Sequence, residues 1–105
     1  MRQYTTPTVT LRVKDESLIG TDVYVTLRYG KKRKTMEIPQ SDITLTEDGN
    51  DTLITFTLTQ EQTAKFSVGD IIEYEANYMS GHTRPATDIA YSKPVKENLL
   101  KRILP

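Results

Sequence analysis

Apolar and polar residues alternate with a period of two along much of the first two thirds of the chain. Every second position is apolar in residues 8–13, 22–29 and 52–58, and the positions between carry mostly threonine, tyrosine or arginine. This alternation is typical of antiparallel strands with one face on a core and the other in water. Weaker versions of the pattern predict further strands at residues 34–38, 43–46, 70–78 and 84–91, the last two joined as a hairpin.

These strands and the turn residues between them predict an all-β fold. The spacing favours a single immunoglobulin-like β-sandwich of about seven strands, and a small open barrel is the alternative. The period breaks at residues 59–66, where Thr59 and Gln62 have the spacing of a capping box. We expect one short helical turn here, crossing from one sheet to the other, with Phe66 closing the end of the core.

The C-terminus follows a different pattern. Its apolar residues recur at helical spacing after Pro94, and they are Val95, Leu99, Leu100, Ile103 and Leu104. We therefore divide the chain into a β-sandwich domain at residues 1–92 and a C-terminal docking segment at residues 93–105, which is apolar and for which the spacing leaves a helix open. A helix this short is marginal alone, so its apolar stripe needs a surface. That surface is either the end of its own sandwich or a partner, which could be another copy of the chain.

Composition narrows the classes of protein that remain. The chain has 105 residues, enough for one domain, and its 14 Lys+Arg balance 14 Asp+Glu. A net charge of zero argues against a specific nucleic-acid partner. No apolar run is long enough to span a bilayer, and residues 1–7 lack the apolar stretch of a secretion signal, so we expect no membrane partner. Without cysteine the fold has no disulfide.

Catalytic motifs are missing from the sequence. His82 is the only histidine and lies in a polar turn, which leaves no histidine cluster for a metal and no nucleophile triad. The acidic residues 47–51 lack the spacing of a calcium loop, so we interpret them as a solvated turn. We predict that the chain is not an enzyme and has no catalytic residues, metal, cofactor or small-molecule substrate.

One basic cluster is a candidate contact for a polar or anionic partner, because it falls at a predicted hairpin tip. Its members are Arg28, Lys31, Lys32, Arg33 and Lys34. The alternative is a solvated strand end whose charges discourage edge-to-edge pairing. Tyr24, Tyr78 and Tyr91 offer a second candidate surface, since aromatic rings on a sheet face can stack on sugars or bases. The preferred interpretation is that they are core or half-buried residues of the strands.

Several segments carry a resemblance to known proteins. They are residues 22–27, the turn at Gly30, residues 42–45, the run Leu58-Thr59-Gln60-Glu61-Gln62-Thr63 followed by Phe66 and Gly69, residues 84–87, and the closing Glu97-Asn98-Leu99-Leu100. Together they resemble the small β-sandwich proteins of tailed phages and prophages of Gram-positive gut bacteria. More loosely, they are similar to the N-terminal immunoglobulin-like domain of phage upper baseplate proteins.

The resemblance implies a structural or adaptor protein of a phage particle, at the tail, the baseplate or the virion surface. Its partners would be other virion or tail proteins, with a homo-oligomer as a further expectation. Its location would be the virion, assembled in the cytoplasm of the bacterial host. A carbohydrate- or cell-surface-binding module is the alternative function, and an enzyme or an enzyme inhibitor ranks third.

Overall fold

Two antiparallel sheets form the structure, a computed structural model that describes residues 1–105. The strands are β1 (Thr8–Val13), β2 (Val23–Tyr29), β3 (Lys34–Glu37), β4 (Ile43–Asp48), β5 (Asp51–Thr57), β6 (Glu73–Tyr78) and β7 (Ala90–Tyr91). A 3-10 turn at Gln40–Asp42 precedes β4, and the helix α1 (Gln60–Ala64) follows β5.

The strand order identifies the architecture. One sheet has the order β1-β5-β4 and the other β3-β2-β6-β7. Immunoglobulin-type domains place strands B, E and D in one sheet and C′, C, F and G in the other, which is the same arrangement. The predicted all-β sandwich with immunoglobulin-like topology is therefore confirmed.

The core lies between the sheets and takes the apolar positions that the alternation selects. Val25 and Leu27 of β2 and Ile54 and Phe56 of β5 are buried, whereas the residues between them face outwards. A shift of one residue would expose each of these sets, so burial fixes the pairing register of the strands.

Strand β7 is much shorter than the predicted strand at 84–91. A single bridge joins Asn77 to Ala86, and the side chain of Thr87 takes over part of the pairing by accepting a hydrogen bond from the Ala76 N–H at 3.0 Å. Pro85 has no N–H to donate, which helps to explain why the ladder is interrupted here. Regular pairing resumes only at Ala90.

Helix α1 carries the predicted capping box. The Thr59 hydroxyl accepts a hydrogen bond from the Gln62 N–H at 3.1 Å, and the Gln62 side chain accepts one from the Thr59 N–H at 2.8 Å. Phe66 follows the helix, is buried as predicted, and packs its ring 5.2 Å from that of Tyr29. This contact brings the loop after α1 against the end of β2.

The C-terminal segment, for which the spacing left a helix open, is irregular and contains no helix. No helix occurs after residue 64. The Val95 N–H donates to the Asp70 carbonyl and the Val95 carbonyl accepts from Gly69, both at 2.8 Å, so neither group is free for a helix. The Val95 side chain is only 2% exposed and belongs to the core.

The two ends of the chain also pair with each other. Arg2 and Lys96 form a parallel bridge, the Gln3 N–H donates to the Lys96 carbonyl at 3.1 Å, and the Lys96 N–H donates to the Met1 carbonyl at 2.9 Å. The sandwich thus makes backbone contacts as far as Lys96, beyond the predicted boundary at residue 92. The part of the chain outside the sandwich is residues 97–105, which we call the C-terminal tail.

Candidate interaction surfaces

The C-terminal tail lies on the sandwich through polar contacts. The Gln60 side chain makes two hydrogen bonds to the backbone of Leu104, donating to its carbonyl at 3.1 Å and accepting from its N–H at 2.8 Å. Arg2 donates to the Glu97 carbonyl at 2.8 Å. Glu97 and Lys101 form an ion pair at 2.7 Å, which lowers the pKa of Glu97 and raises the pKa of Lys101.

The apolar side chains of the tail remain in solvent. Leu99 is 92% exposed, and Leu100, Ile103 and Leu104 are between 40% and 47% exposed. Several exposed apolar side chains in one short segment make it a candidate interaction site. These four residues were predicted as partner contacts and are accessible in the structure. Val95 was predicted with them, but it lies in the protein's own core and is not available to a partner.

The basic cluster separates into two parts. Arg28 donates two hydrogen bonds to Glu73 of β6, one of them from Nε at 2.7 Å, and Arg33 lies 3.7 Å from the same carboxylate. Lys31, Lys32 and Lys34 are exposed and form no ion pair. The arginines therefore fasten the hairpin to β6, and the lysines carry the unpaired charge.

A cleft lies beside these lysines. It has a volume of about 840 Å³ between the β2–β3 turn and the loop after α1, and Lys31, Lys32, Lys34 and Lys65 line it. The sequence analysis did not include Lys65 in the basic cluster. Its neighbour Phe66 was predicted to close the end of the core, and this could have placed Lys65 at the same end. Sequence-distant lysines thus meet at one anion-attracting concavity.

The three candidate tyrosines do not form one surface. Tyr78 is buried, and its hydroxyl donates to Glu16 Oε2 at 2.7 Å. Burial, reinforced by this carboxylate, raises the pKa of Tyr78. Tyr24 and Tyr91 are exposed on the outer face of the four-stranded sheet, but Tyr24 pairs with Asn77 and Tyr91 with Glu73, at opposite ends of β6.

The acidic turn between β4 and β5 is an exposed hairpin tip in which Gly49 takes the positive φ of +63° that such turns favour. Arg12 bridges Asp48 and Asp51, each at 2.7 Å. The backbone N–H of Asp15 donates to Asp51 at 2.9 Å, and together with Arg12 it lowers the pKa of Asp51.

No group of three or more His, Cys, Asp or Glu side chains is arranged to hold a metal ion. Neither helix has the length and apolar character needed to cross a bilayer. His82 is exposed in the turn after β6.

Comparison of the chain with protein-family models, with curated proteins and with solved structures found no match.

Proposed function

We propose that the chain is a structural or adaptor protein of a tailed-phage particle, at the tail or baseplate, and that it acts through protein–protein contacts rather than catalysis. The observation that carries the proposal is the C-terminal tail, which presents Leu99, Leu100, Ile103 and Leu104 to solvent. The resemblance of the sequence to small phage β-sandwich proteins supplies the setting. The protein would be assembled into the virion in the cytoplasm of the bacterial host.

The exposed apolar side chains of the tail can contribute to binding a partner. Full burial of an exposed leucine stabilises a contact by roughly 1.5–3 kcal/mol. Leu99 approaches that case, whereas the partly buried Leu100, Ile103 and Leu104 would each contribute less. To move onto another subunit, the tail exchanges the Gln60–Leu104 hydrogen bonds and the Arg2 contact. The Glu97–Lys101 ion pair lies within the tail and can move with it.

Incorporation into particles tests the proposal directly. Prophage is induced in the bacterium that encodes the chain, particles are purified by density gradient, and the chain is quantified by immunoblot and mass spectrometry. A tail variant carries Leu99→Ser, Leu100→Ser, Ile103→Ser and Leu104→Ser. A matched control carries Val68→Ser and Ile71→Ser, which remove exposed apolar side chains elsewhere on the surface.

We expect the parent and the control to be present in the particle fraction. The amount of the tail variant in that fraction should be at least tenfold lower, while its circular dichroism spectrum matches that of the parent. Absence of the parent chain from purified particles overturns the phage assignment. Full incorporation of the tail variant overturns the role of the tail.

A carbohydrate- or cell-surface-binding module is the second candidate. It is favoured by the exposure of Tyr24 and Tyr91 on the outer face of the four-stranded sheet, where aromatic rings can pack on sugar faces. A glycan array with the parent and with the Tyr24→Ala, Tyr91→Ala variant tests it. A signal that the variant loses supports this function, and an array with no signal removes it.

A further inference from the structure

The neutral chain has opposite charges at its two ends. At the end where β2 finishes, the lysine cleft brings together Lys31, Lys32, Lys34 and Lys65. Glu73 is paired with Arg28 and Arg33. Asp70 also lines the cleft and accepts a hydrogen bond from the Ser67 N–H at 2.8 Å, so it offsets part of the lysine charge. Four lysines and one carboxylate line the cleft, which leaves this basic end with a net positive charge.

The other end is acidic. The Glu16 carboxylate accepts a hydrogen bond from the hydroxyl of Tyr78, which pairs with Val23 at the start of β2. The backbone N–H of Asp15 donates to the carboxylate of Asp51 at the start of β5. Carboxylates gather here from the β1–β2 loop and the β4–β5 hairpin, and they are Asp15, Glu16, Asp22, Glu47, Asp48 and Asp51. The cations at this end are Arg12, which pairs with both Asp48 and Asp51, together with Lys14 and, in the loop after β6, Arg84. Six carboxylates against three cations leave this end with a net negative charge.

The two charged ends are far apart. The seven residues of β2 lie between them, and a strand of that length spans about 23 Å. This distance exceeds the screening length of roughly 8–10 Å at physiological salt. The ends therefore attract each other little within one molecule and are free to attract the opposite end of another.

We propose that the protein self-associates head to tail, with the acidic hairpin tip of one copy seated in the lysine cleft of the next. The occupant is a second copy because the chain itself supplies both complementary surfaces, a narrow projecting turn and a concavity of about 840 Å³. The inference does not depend on the phage setting or on the C-terminal tail.

The size of the ends determines the kind of contact. The molecule measures 45 × 29 × 20 Å, so an end-on contact covers at most about 600 Å² of each partner. An interface of this size is at the small end of the specific range, which predicts weak, reversible association governed by charge. Because the two surfaces differ, the contact is heterologous and generates a ring if the rotation closes and a filament if it does not.

Charge reversal at each end gives a discriminating test. The basic-end variant carries Lys31→Glu and Lys65→Glu, and the acidic-end variant carries Asp22→Lys and Glu47→Lys. All of these side chains are exposed and outside the core. A control variant carries Glu37→Lys and Asp88→Lys, at positions that lie between the two ends. It changes the net charge by the same amount as the acidic-end variant.

Sedimentation velocity then measures association at about 20 mM and about 500 mM salt, a range across which the screening length falls from roughly 20 Å to below 5 Å. We expect the parent and the control to associate at low salt, with affinity reduced more than tenfold at high salt. Each end variant alone should be monomeric, whereas their equimolar mixture should form a complex, since each keeps the native end that the other lacks.

Two results overturn the proposal: a parent that stays monomeric at low salt, or a mixture of the end variants that does not associate. Titration with inorganic polyphosphate identifies the competing occupant. If the monomeric parent binds it and the basic-end variant does not, the cleft serves a phosphate polymer and not a second copy. The serine variant of the tail is run alongside, and it should associate like the parent even where particle incorporation fails.

Discussion

The hydroxyl of Tyr74 is the buried polar side-chain atom that the fold leaves without a partner. Tyr74 lies on β6, is 4% exposed, and packs its ring 6.1 Å from that of Phe56. Its Oη makes no hydrogen bond and is shielded from solvent. Burial raises the pKa of Tyr74 to about 12, because the charged form would be desolvated. We therefore expect Tyr74→Phe to stabilise the protein.

The magnitude follows from what the substitution removes. A buried hydroxyl without a hydrogen bond costs about 1–3 kcal/mol. Loss of the oxygen also forfeits a few packing contacts worth roughly 0.1–0.2 kcal/mol each. The free energy of unfolding should therefore rise by about 1 kcal/mol, which in a domain of this size raises Tm by about 4–8 °C.

Tyr78 provides a matched control on the same strand. Its hydroxyl donates to Glu16 Oε2 at 2.7 Å, and a hydrogen bond to a charged group is worth about 1.5–3 kcal/mol at most. Because Glu16 is half-buried and can regain water, we expect Tyr78→Phe to lower the free energy of unfolding by about 1 kcal/mol. The same chemical change on one strand thus has opposite signs at the two positions.

Urea denaturation followed by circular dichroism measures both variants. The pH dependence adds a second readout, because a tyrosine whose pKa is raised by folding contributes stability that is present below about pH 10 and lost at higher pH. The parent should therefore lose stability above pH 10, and Tyr74→Phe should lose less. A Tyr74→Phe protein that is destabilised by more than about 1 kcal/mol refutes the reasoning, since it would mean that the hydroxyl has a partner.

Three further substitutions test the helix, the core and the acidic end. Thr59→Ala removes the helix cap and should lower the free energy of unfolding by about 1 kcal/mol in urea denaturation, whereas no change would mean that α1 is held by packing alone. Phe66→Ala opens a cavity beside Tyr29 and should cost about 3–5 kcal/mol, and a loss below about 1 kcal/mol contradicts its place in the core. The lowered pKa of Asp51 contributes stability that is present above about pH 4 and lost as pH falls through the folded value. Thermal unfolding between about pH 6 and pH 2 should thus be less pH-dependent in Asp51→Asn, and parallel curves would contradict the contacts from Asp15 and Arg12.

Local patterning predicted the parts of the fold that depend on local properties. Alternation along β2 and β5 selected the buried faces, and the Thr59 spacing located α1. Helical spacing at the C-terminus did not lead to a helix, because the spacing depends only on which side chains are apolar. It contains no information about the hydrogen-bond partners of the backbone groups. At Val95 those groups bond to Asp70 and Gly69, a contact that no local pattern encodes.

The candidate surfaces were predictable only in part for the same reason. The sequence showed the charge run but not that Glu73, far along the chain, engages Arg28 and Arg33. It could not bring Lys65 to the same cleft, since that depends on the packing of α1. It left open which of Tyr24, Tyr78 and Tyr91 are exposed, although alternation along β6 places the Tyr78 side chain on the core face.

The pairing of Met1, Arg2 and Gln3 with Lys96 has a consequence for how the protein folds. The bridge joins residues separated by nearly the whole chain, and β1 with β5 and β2 with β6 are also distant in sequence. Non-local pairing of this kind slows folding, with typical times of milliseconds to seconds. During synthesis, the core cannot be completed until Val95 has left the ribosome. Until then, the end of the nascent sandwich that Val95 covers stays exposed to solvent.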